Sequence, residues 1–325
     1  MQKPLDWRAA TLIATRDLSA DIRLFEIQAE GPFEPPSPGS HLQIVVTIGD
    51  RQETRSYSTV GPCADGLYRI AVKRLNPSRG GSAYMWRLTP GARLRIAMPR
   101  NHFPLGIRRP EYLLIAGGIG ITPIYSMAMA LKEAGATATL RYCARSAADL
   151  VLIDDLQAAY GDRLITHLDA ENTRIDLDAA IADLKPEGEC YVCGPLGLME
   201  AVRHAWARAG RPASLLRFET FGNSGKFASE EFAVEIPRLQ KSLMVAPHET
   251  LLEALEKAGV AMISDCRRGE CGLCALPIIS ADSVVDHRDV FFSDAEKDTN
   301  ARLCTCVSRA AGGRLVLDTP DRVRA

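Results

Sequence analysis

Cysteines near the C-terminal end of the chain have the spacing of an iron–sulfur ligand set. Five of the nine cysteines fall within the last 60 of 325 residues, and these are Cys266, Cys271, Cys274, Cys304 and Cys306. The first three form C-x4-C-x2-C, and with one later cysteine this spacing is typical of a 2Fe–2S cluster, in which four thiolates hold two irons. Gly269 and Gly272 relieve crowding in the loop and free backbone N–H groups to face the sulfurs. The sequence therefore predicts a 2Fe–2S cluster in this region.

The fourth ligand of the cluster is Cys304 or Cys306. We expect Cys306, because the segment 306–309, which begins with this cysteine, leads directly into an apolar strand at residues 315–317. A structural zinc site also uses four thiolates, but such sites favour two short C-x2-C pairs, and this sequence offers one.

The remaining thiols and imidazoles show no ligand spacing. An odd number of cysteines in a chain without an export signal argues against a disulfide framework. We expect Cys63, Cys143 and Cys190 to be ordinary buried thiols. The histidines are interpreted as non-catalytic; they are His41, His102, His167, His204, His248 and His287.

Two glycine-containing loops are candidates for nucleotide binding. The first comprises Gly117, Gly118, Ile119, Gly120, Ile121, Thr122 and Pro123, between an apolar strand and a helix. Glycines let the backbone approach a phosphate, and a helix N-terminus supplies N–H donors. The second loop is Cys193-Gly194-Pro195, again between a strand and a helix, so both are expected at the carboxyl edge of one sheet. Arg145 is a candidate phosphate or ribose contact, or else a solvated surface arginine.

A third group of residues lies in the N-terminal stretch. In Arg55-Ser56-Tyr57-Ser58 the arginine can grip a phosphate, the tyrosine can pack on a planar ring and the hydroxyls can hydrogen-bond. Arg79-Gly80-Gly81-Ser82 precedes a predicted short helix and forms another anion-binding turn. Lys73 and Arg74 end a strand and add positive charge there, or are merely solvated.

These residues are distributed over three stretches with different patterns. Up to residue 105, short β runs separated by turns predict a small antiparallel barrel or sandwich; they are 22–27, 42–48, 68–72 and 94–98. From 106, strands and helices alternate and predict a parallel sheet with helices on both faces. Its strands are expected at 112–116, 138–143, 164–168, 190–193 and 215–221, with helices at 150–160 and 177–184 and others after Pro123 and Pro195. After a linker at 223–226, strands 232–236 and 242–245 precede a helix at 251–258. The predicted domains are 1–105, 106–224 and 225–325.

Composition and charge exclude several classes of protein. Asp and Glu number 40 against 39 Lys and Arg, so the charge of −1 gives no support to nucleic-acid binding or a basic membrane surface. Residues 112–131 carry no charge, but their glycines and proline fit a strand, turn and helix better than a membrane span. With no signal segment at the N-terminus, we expect a cytoplasmic protein. We also expect a monomer.

Taken together and in order, these motifs resemble the phthalate dioxygenase reductase family, over essentially the whole chain. The segments that carry the resemblance are 55–58, 71–74, 79–82, 99–105, 117–123, 193–195, 218–222, the cysteine loop, 286–289 and 306–310. The resemblance implies a multidomain chain: an antiparallel β-barrel that binds FMN, an α/β NAD-binding domain, and an α+β (β-grasp) plant-type ferredoxin domain.

The resemblance also implies roles for individual residues. Arg55 would bind the FMN phosphate with Gly80, Gly81 and Ser82, Tyr57 would pack on the ring, and Ser58 would lie near its reactive nitrogen. Thr122 would contact flavin and nicotinamide, Cys193 would lie beside the nicotinamide, and Phe221 would shield the flavin. Ser58, Thr122 and Cys193 are therefore the predicted catalytic residues. Further cofactor contacts are expected at Ser56, Val72, Lys73, Arg74, Gly118, Ile119, Gly120, Pro123, Arg145, Gly194 and Pro195. The metal ligands would be Cys266, Cys271, Cys274 and Cys306.

Two features depart from the family pattern. Leu273 stands between the second and third cluster cysteines, where members usually carry a small hydroxyl residue. The segment between Cys274 and the fourth ligand is longer, with the extra residues near 298–303. Leu273 lacks the hydroxyl that could hydrogen-bond to a cluster sulfur, and the loss of this bond affects the reduction potential of the cluster.

The function implied is an NADH-dependent reductase that feeds a Rieske-type oxygenase by way of FMN and the cluster. Arg267 and Arg268 are candidate contacts for that partner, or solvated loop residues. Three alternatives stay open: a reductase for a cytochrome P450 or other one-electron acceptor, a non-catalytic redox sensor, and a zinc-stabilised nucleotide-binding module. NADH is expected rather than NADPH, although Arg145 and Ser146 do not exclude a 2′-phosphate.

Overall fold

A computed structural model describes residues 5–63, 65–76, 78, 80–221, 227, 229–247 and 249–318. Arg79, Gly222, the 223–226 linker and His248 lie outside these residues. The chain separates into two compact units, Met1–Glu219 and Thr220–Ala325. The proposed boundaries at 105 and 224 stay predictions.

The N-terminal part of the first unit is an antiparallel sheet of six strands. The strands are β1 (Trp7–Asp17), β2 (Ile22–Ala29), β3 (Ser40–Ile48), β4 (Arg51–Ser58), β5 (Tyr68–Lys73) and β6 (Arg93–Asn101), with helix α1 (Gly81–Arg87) between the last two. Their order is β4-β3-β6-β1-β2-β5. The sheet curls until Thr59, just after β4, forms a bridge with Ile70 of β5, which confirms the predicted barrel. Its interior is filled by alternate apolar side chains, such as Phe25, Ile44 and Ile96.

The rest of the first unit is a parallel α/β sheet. In chain order it comprises β7 (Tyr112–Gly117), α2 (Ile121–Glu133), β8 (Ala138–Ala144), α3 (Ile153–Tyr160), β9 (Leu164–Leu168), α4 (Leu177–Asp183), β10 (Glu189–Cys193), α5 (Leu196–Arg208) and β11 (Leu216–Glu219). The strand order is β11-β10-β7-β8-β9, and every neighbouring pair is parallel. Helix α2 packs with α3, and α4 with α5. Strand β7 is buried throughout, as its unbroken apolar run predicted.

The second unit is a mixed sheet with one main helix. It comprises β12 (Phe232–Ile236), β13 (Lys241–Val245), α6 (Leu251–Lys257), β14 (Ala275–Ala281), β15 (Val285–Asp286), α7 (Asp294–Asp298), β16 (Arg302–Cys304), β17 (Arg309–Ala310) and β18 (Arg314–Leu317). The five-stranded order is β13-β12-β18-β14-β16, with β12 and β18 parallel. Thr250 caps α6 in a capping box with Glu253, and the apolar face of the helix joins the core of the sheet.

Three sequence expectations need correction. Helix α3 begins at Ile153 rather than 150, because residues 147–149 form a tight turn and Leu152 has a φ of 60°. Strand β1 was not predicted, although it pairs with both β2 and β6 in the barrel. The last strand of the parallel sheet ends at Glu219, two residues short of the predicted end.

No helix among the described residues is long and apolar enough to cross a membrane.

Candidate functional site

The cysteine loop is folded so that backbone donors face a sulfur. The N–H groups of Arg268 and Glu270 each lie 3.4 Å from Sγ of Cys266. Gly269 and Gly272 have φ values of 77° and 70°, which only glycine adopts easily. A Cβ at Gly269 would lie 2.6 Å from Val307, and one at Gly272 would lie 2.3 Å from the Phe291 ring. Both glycines are therefore required by backbone conformation and by space.

The thiols of this loop meet the two later cysteines. Cys306 hydrogen-bonds with Cys266 and Cys274, while Cys304 contacts Cys274. Hydrogen bonds from Cys306 lower the pKa of the Cys266 thiol, and bonds from Cys304 and then Cys306 lower the pKa of Cys274. The pKa values of Cys304 and Cys306 are raised in return. Cys306 thus reaches both ends of the loop, which fits a fourth ligand.

The donor set consists of thiols, which is the chemistry that a 2Fe–2S cluster requires. Such a cluster takes four thiolates, two on each iron, and the cysteine loop together with Cys306 supplies four.

A buried aspartate, Asp289, contacts the segments around the cysteines, and no role was predicted for it. Asp289 is fully buried, and its carboxylate accepts hydrogen bonds from Ser308 Oγ (3.0 Å) and from the Phe292 N–H (3.0 Å). The next residue, Val290, donates its N–H to the carbonyl of Gly269 at 3.0 Å. Burial acts to raise the pKa of Asp289, but hydrogen bonds from His287 and its other donors hold it below its ordinary value. Asp289 and Val290 together therefore connect the segment that follows Cys306 to the cysteine loop.

The two predicted nucleotide loops lie side by side at the carboxyl edge of the parallel sheet. Cys193 pairs with Ala116 where β10 and β7 end, so the prediction about this edge is confirmed. A Cβ at Gly120 would lie 2.2 Å from the carbonyl oxygen of Cys193, and one at Gly117 would lie 2.7 Å from Pro195. Thr122 is buried at the start of α2 and donates to the Ile119 carbonyl at 3.0 Å. The glycines thus allow one loop to pack on the other.

The barrel residues also come together. A Cβ at Gly81 would lie 2.9 Å from Cγ and 3.0 Å from Nε of Arg55, so the arginine packs directly on this turn. Gly80 has a φ of 94°, and Ser82 Oγ lies 3.0 Å from Ser78 Oγ. Tyr57 is half-buried, and burial raises the pKa of its hydroxyl. Arg55 also pairs with Glu53 at 2.5 Å. A cation and a hydroxyl are therefore grouped at this turn, and a phosphate would compete with Glu53 for the arginine.

Other predicted contacts are engaged elsewhere in the described structure. Lys73 pairs with Asp21 at 3.2 Å, and Arg145 pairs with Asp149 at 2.9 Å and with Asp21 at 3.4 Å. The carbonyl of Val72 accepts the Trp86 indole N–H, and Arg74 lies over the same ring. The roles of these residues toward a cofactor stay predictions.

The three cysteines expected to be ordinary buried thiols lie in environments that keep them protonated. Cys63 and Cys190 are buried and Cys143 is half-buried. Burial raises the pKa of all three thiols, that of Cys143 to about 11. Few thiolates form at neutral pH under those conditions.

A buried glutamate connects the strand end of the barrel to the parallel sheet. Ser58 donates its hydroxyl to Oε2 of Glu219 at 3.2 Å, and Glu219 is fully buried. Glu219 ends β11 and stands beside Cys193 in the strand ladder. It therefore links two predicted catalytic residues, Ser58 and Cys193. The sequence contained it within a family motif but gave no reason to assign it a role.

Two protein-family models match parts of this chain. A model described as an oxidoreductase NAD-binding domain matches residues 114–204, and one described as a 2Fe-2S iron-sulfur cluster binding domain matches 234–311. The zinc alternative is therefore set aside.

The chain is similar to whole reductases along nearly its full length. It is 34% identical to the carnitine monooxygenase reductase subunit of Escherichia coli (strain K12), covering 93% of this chain and 95% of that one. It is 36% identical to the heme-dependent oxidative N-demethylase beta subunit of Ectopseudomonas mendocina (strain ymp), covering 98% and 100%. Among solved structures, phthalate dioxygenase reductase matches with a TM-score of 0.76 and 31% identity over 96% of this chain and 98% of that one. The chain therefore belongs to the phthalate dioxygenase reductase family of electron-transfer oxidoreductases.

Proposed function

We propose that the protein takes electrons from NADH through FMN and a 2Fe–2S cluster and delivers them to the oxygenase component of a multicomponent system. The observation that carries this is the presence in one chain of the cysteine set, the paired nucleotide loops and the Arg55 turn. When bound, FMN accepts the two electrons of a hydride and releases them singly, as a one-electron cluster requires.

The residues of the barrel would hold the flavin. Arg55 and the Gly80–Ser82 turn bind its phosphate, and Tyr57 packs on the ring. Ser58 donates its hydroxyl proton to Glu219, and this hydrogen bond holds the oxygen of the serine beside the reactive nitrogen. Thr122 and Cys193 flank the nicotinamide at the edge of the parallel sheet. Cys266, Cys271, Cys274 and Cys306 hold the cluster.

The phosphate role of Arg55 has a matched control on the same strand. Arg55→Gln removes a charge-assisted hydrogen bond, so we expect FMN affinity to fall about 10- to 100-fold. Arg51→Gln removes an exposed arginine four residues earlier in β4 and should leave the affinity unchanged. Fluorescence titration of each apoprotein with FMN measures both. Equal affinities for the two variants would remove Arg55 from the site.

The acceptor is proposed to be a Rieske-type oxygenase that docks on the ferredoxin domain, with the reductase acting as a monomer. Arg267 lies at the surface because its side chain is 52% exposed, and it pairs there with Glu256 at 2.6 Å. Arg268 is a poor contact, contrary to expectation, because it is 8% exposed and pairs with Glu270 at 3.3 Å.

A haem acceptor is the second candidate, favoured by the similarity to the N-demethylase subunit. Anaerobic mixing of the NADH-reduced protein with a purified Rieske oxygenase, and separately with a haem oxygenase component, distinguishes them. Rapid bleaching of the Rieske absorption supports the first candidate, whereas a shift of the haem band alone supports the second.

A further inference from the structure

A serine on α2 forms hydrogen bonds with the backbone that follows the flavin strand β4. Oγ of Ser126 accepts the N–H of Gly61 at 3.0 Å and donates to the carbonyl of Thr59 at 2.8 Å. Ser126 is 6% exposed and Thr59 is 1% exposed, so water does not compete well for these bonds. One hydroxyl therefore satisfies two backbone groups on a segment 65 or more residues away.

The usual behaviour of a helical serine does not explain this arrangement. Such a hydroxyl commonly donates to the carbonyl four residues earlier in its own helix. Here that acceptor, the carbonyl of Thr122, lies at 3.5 Å, beyond the distance to Thr59. A hydroxyl carries one proton, so its donor is directed out of the helix to the barrel.

The hydrogen bonds of Ser126 lie between the residues proposed to contact the flavin and those proposed to contact the nicotinamide. Thr59 directly follows Ser58, and Ser126 lies one helical turn after Thr122. Ser58 itself donates to Glu219 of β11. Two consecutive residues at the end of β4, Ser58 and Thr59, are therefore hydrogen-bonded to the parallel-sheet part of the unit. That part carries the residues proposed to contact the nicotinamide.

We propose that Ser126 is a positioning residue for hydride transfer. Its hydroxyl fixes the spacing between Ser58 and Thr122, and through them the distance between the flavin and the nicotinamide. This inference rests on the proposed function, because it concerns the alignment of the same two cofactors.

The test is Ser126→Ala in the full-length holoprotein, mixed with saturating NADH in an anaerobic stopped-flow instrument. We expect the rate constant for flavin reduction to fall about 10- to 100-fold, since a shift of about 1 Å can cost 10²-fold. The dissociation constant of NADH should stay within about threefold, because no group that binds NADH is removed. Hydrogen exchange supplies a readout that does not depend on turnover: the Gly61 amide should exchange faster in the variant.

A variant of the neighbouring residue controls for general loosening of the helix. Tyr125→Phe removes the hydrogen bond from Tyr125 to Asp155 (2.9 Å), which stays within the parallel-sheet part of the unit. It should leave the reduction rate and the Gly61 exchange unchanged. If Ser126→Ala does not fold, Ser126→Cys replaces it, because a thiol of similar shape is a weak donor and should slow reduction likewise.

The outcomes separate this inference from the function on which it rests. An unchanged reduction rate in Ser126→Ala, a loss equal to that in Tyr125→Phe, or a loss confined to NADH affinity would overturn the positioning role alone. A wild-type flavin that NADH does not reduce would overturn the proposed function, and the positioning role with it.

Discussion

Cys306→Ser is expected to purify without its 2Fe–2S cluster while NADH still reduces its flavin. A serine oxygen replaces the sulfur that reaches both Cys266 and Cys274, so the loop loses the residue that completes the ligand set. Electron transfer to an external one-electron acceptor should fall about 100-fold or more, since changes outside the ligand set already cost 10- to 100-fold. Iron analysis and the electron paramagnetic resonance signal of the reduced protein measure the cluster, and anaerobic flavin bleaching measures the first step.

Cys304→Ser is the matched control for this experiment. Cys304 lies two residues away, is fully buried and contacts Cys274, so the two variants share chemistry and surroundings. We expect it to keep its iron and most of its electron transfer. The ligand assignment is wrong if Cys304→Ser loses the cluster and Cys306→Ser retains it.

Gly120→Ala is expected to slow the reduction of the flavin by NADH about 100-fold while leaving the cluster intact. Its Cβ would lie 2.2 Å from the carbonyl oxygen and 2.5 Å from the carbonyl carbon of Cys193, and both are backbone atoms of a buried strand end. The two nucleotide loops must therefore separate by about 1 Å, which can cost about 10²-fold in hydride transfer. Stopped-flow reduction of the flavin by NADH measures the loss, and dithionite reduction shows whether the cluster persists.

Gly197→Ala supplies the control for a glycine in the same edge region. A Cβ there meets nothing within 4 Å, and the residue lies in the first turn of α5. Alanine favours a helix over glycine by about 1 kcal/mol, so the variant should be as stable as the parent or more so. Full activity in Gly120→Ala, or equal losses in both variants, would show that the packing of the loops does not matter for NADH.

The sequence predicted those features whose signals are local. The cysteine spacing lies within nine residues, and the buried strand β7 and the glycine loop are contiguous, so each could be identified without a partner. Strand β1 was missed because its exposed and buried positions do not alternate cleanly. Helix α3 was predicted too long because its sequence carries no sign of the left-handed residue Leu152.

Contacts between distant residues could not be predicted in this way. The bond between Ser58 and Glu219 joins positions 161 residues apart, and that between Ser126 and Thr59 joins positions 67 apart. Asp289 was visible as a motif residue, yet its role depends on hydrogen bonds from Ser308 and Phe292 that only the fold creates. The burial of Arg268 likewise depends on tertiary packing, so its charge alone was misleading.

An anaerobic visible spectrum of the purified holoprotein, before and after one equivalent of NADH, tests the central claim most directly. The proposed electron path predicts flavin bands together with broader iron–sulfur absorption, and NADH should bleach both. A coloured protein that NADH fails to bleach would contradict the assignment of the nicotinamide site. A protein that lacks iron–sulfur absorption and contains no iron when freshly purified would contradict the assignment of the cysteine loop.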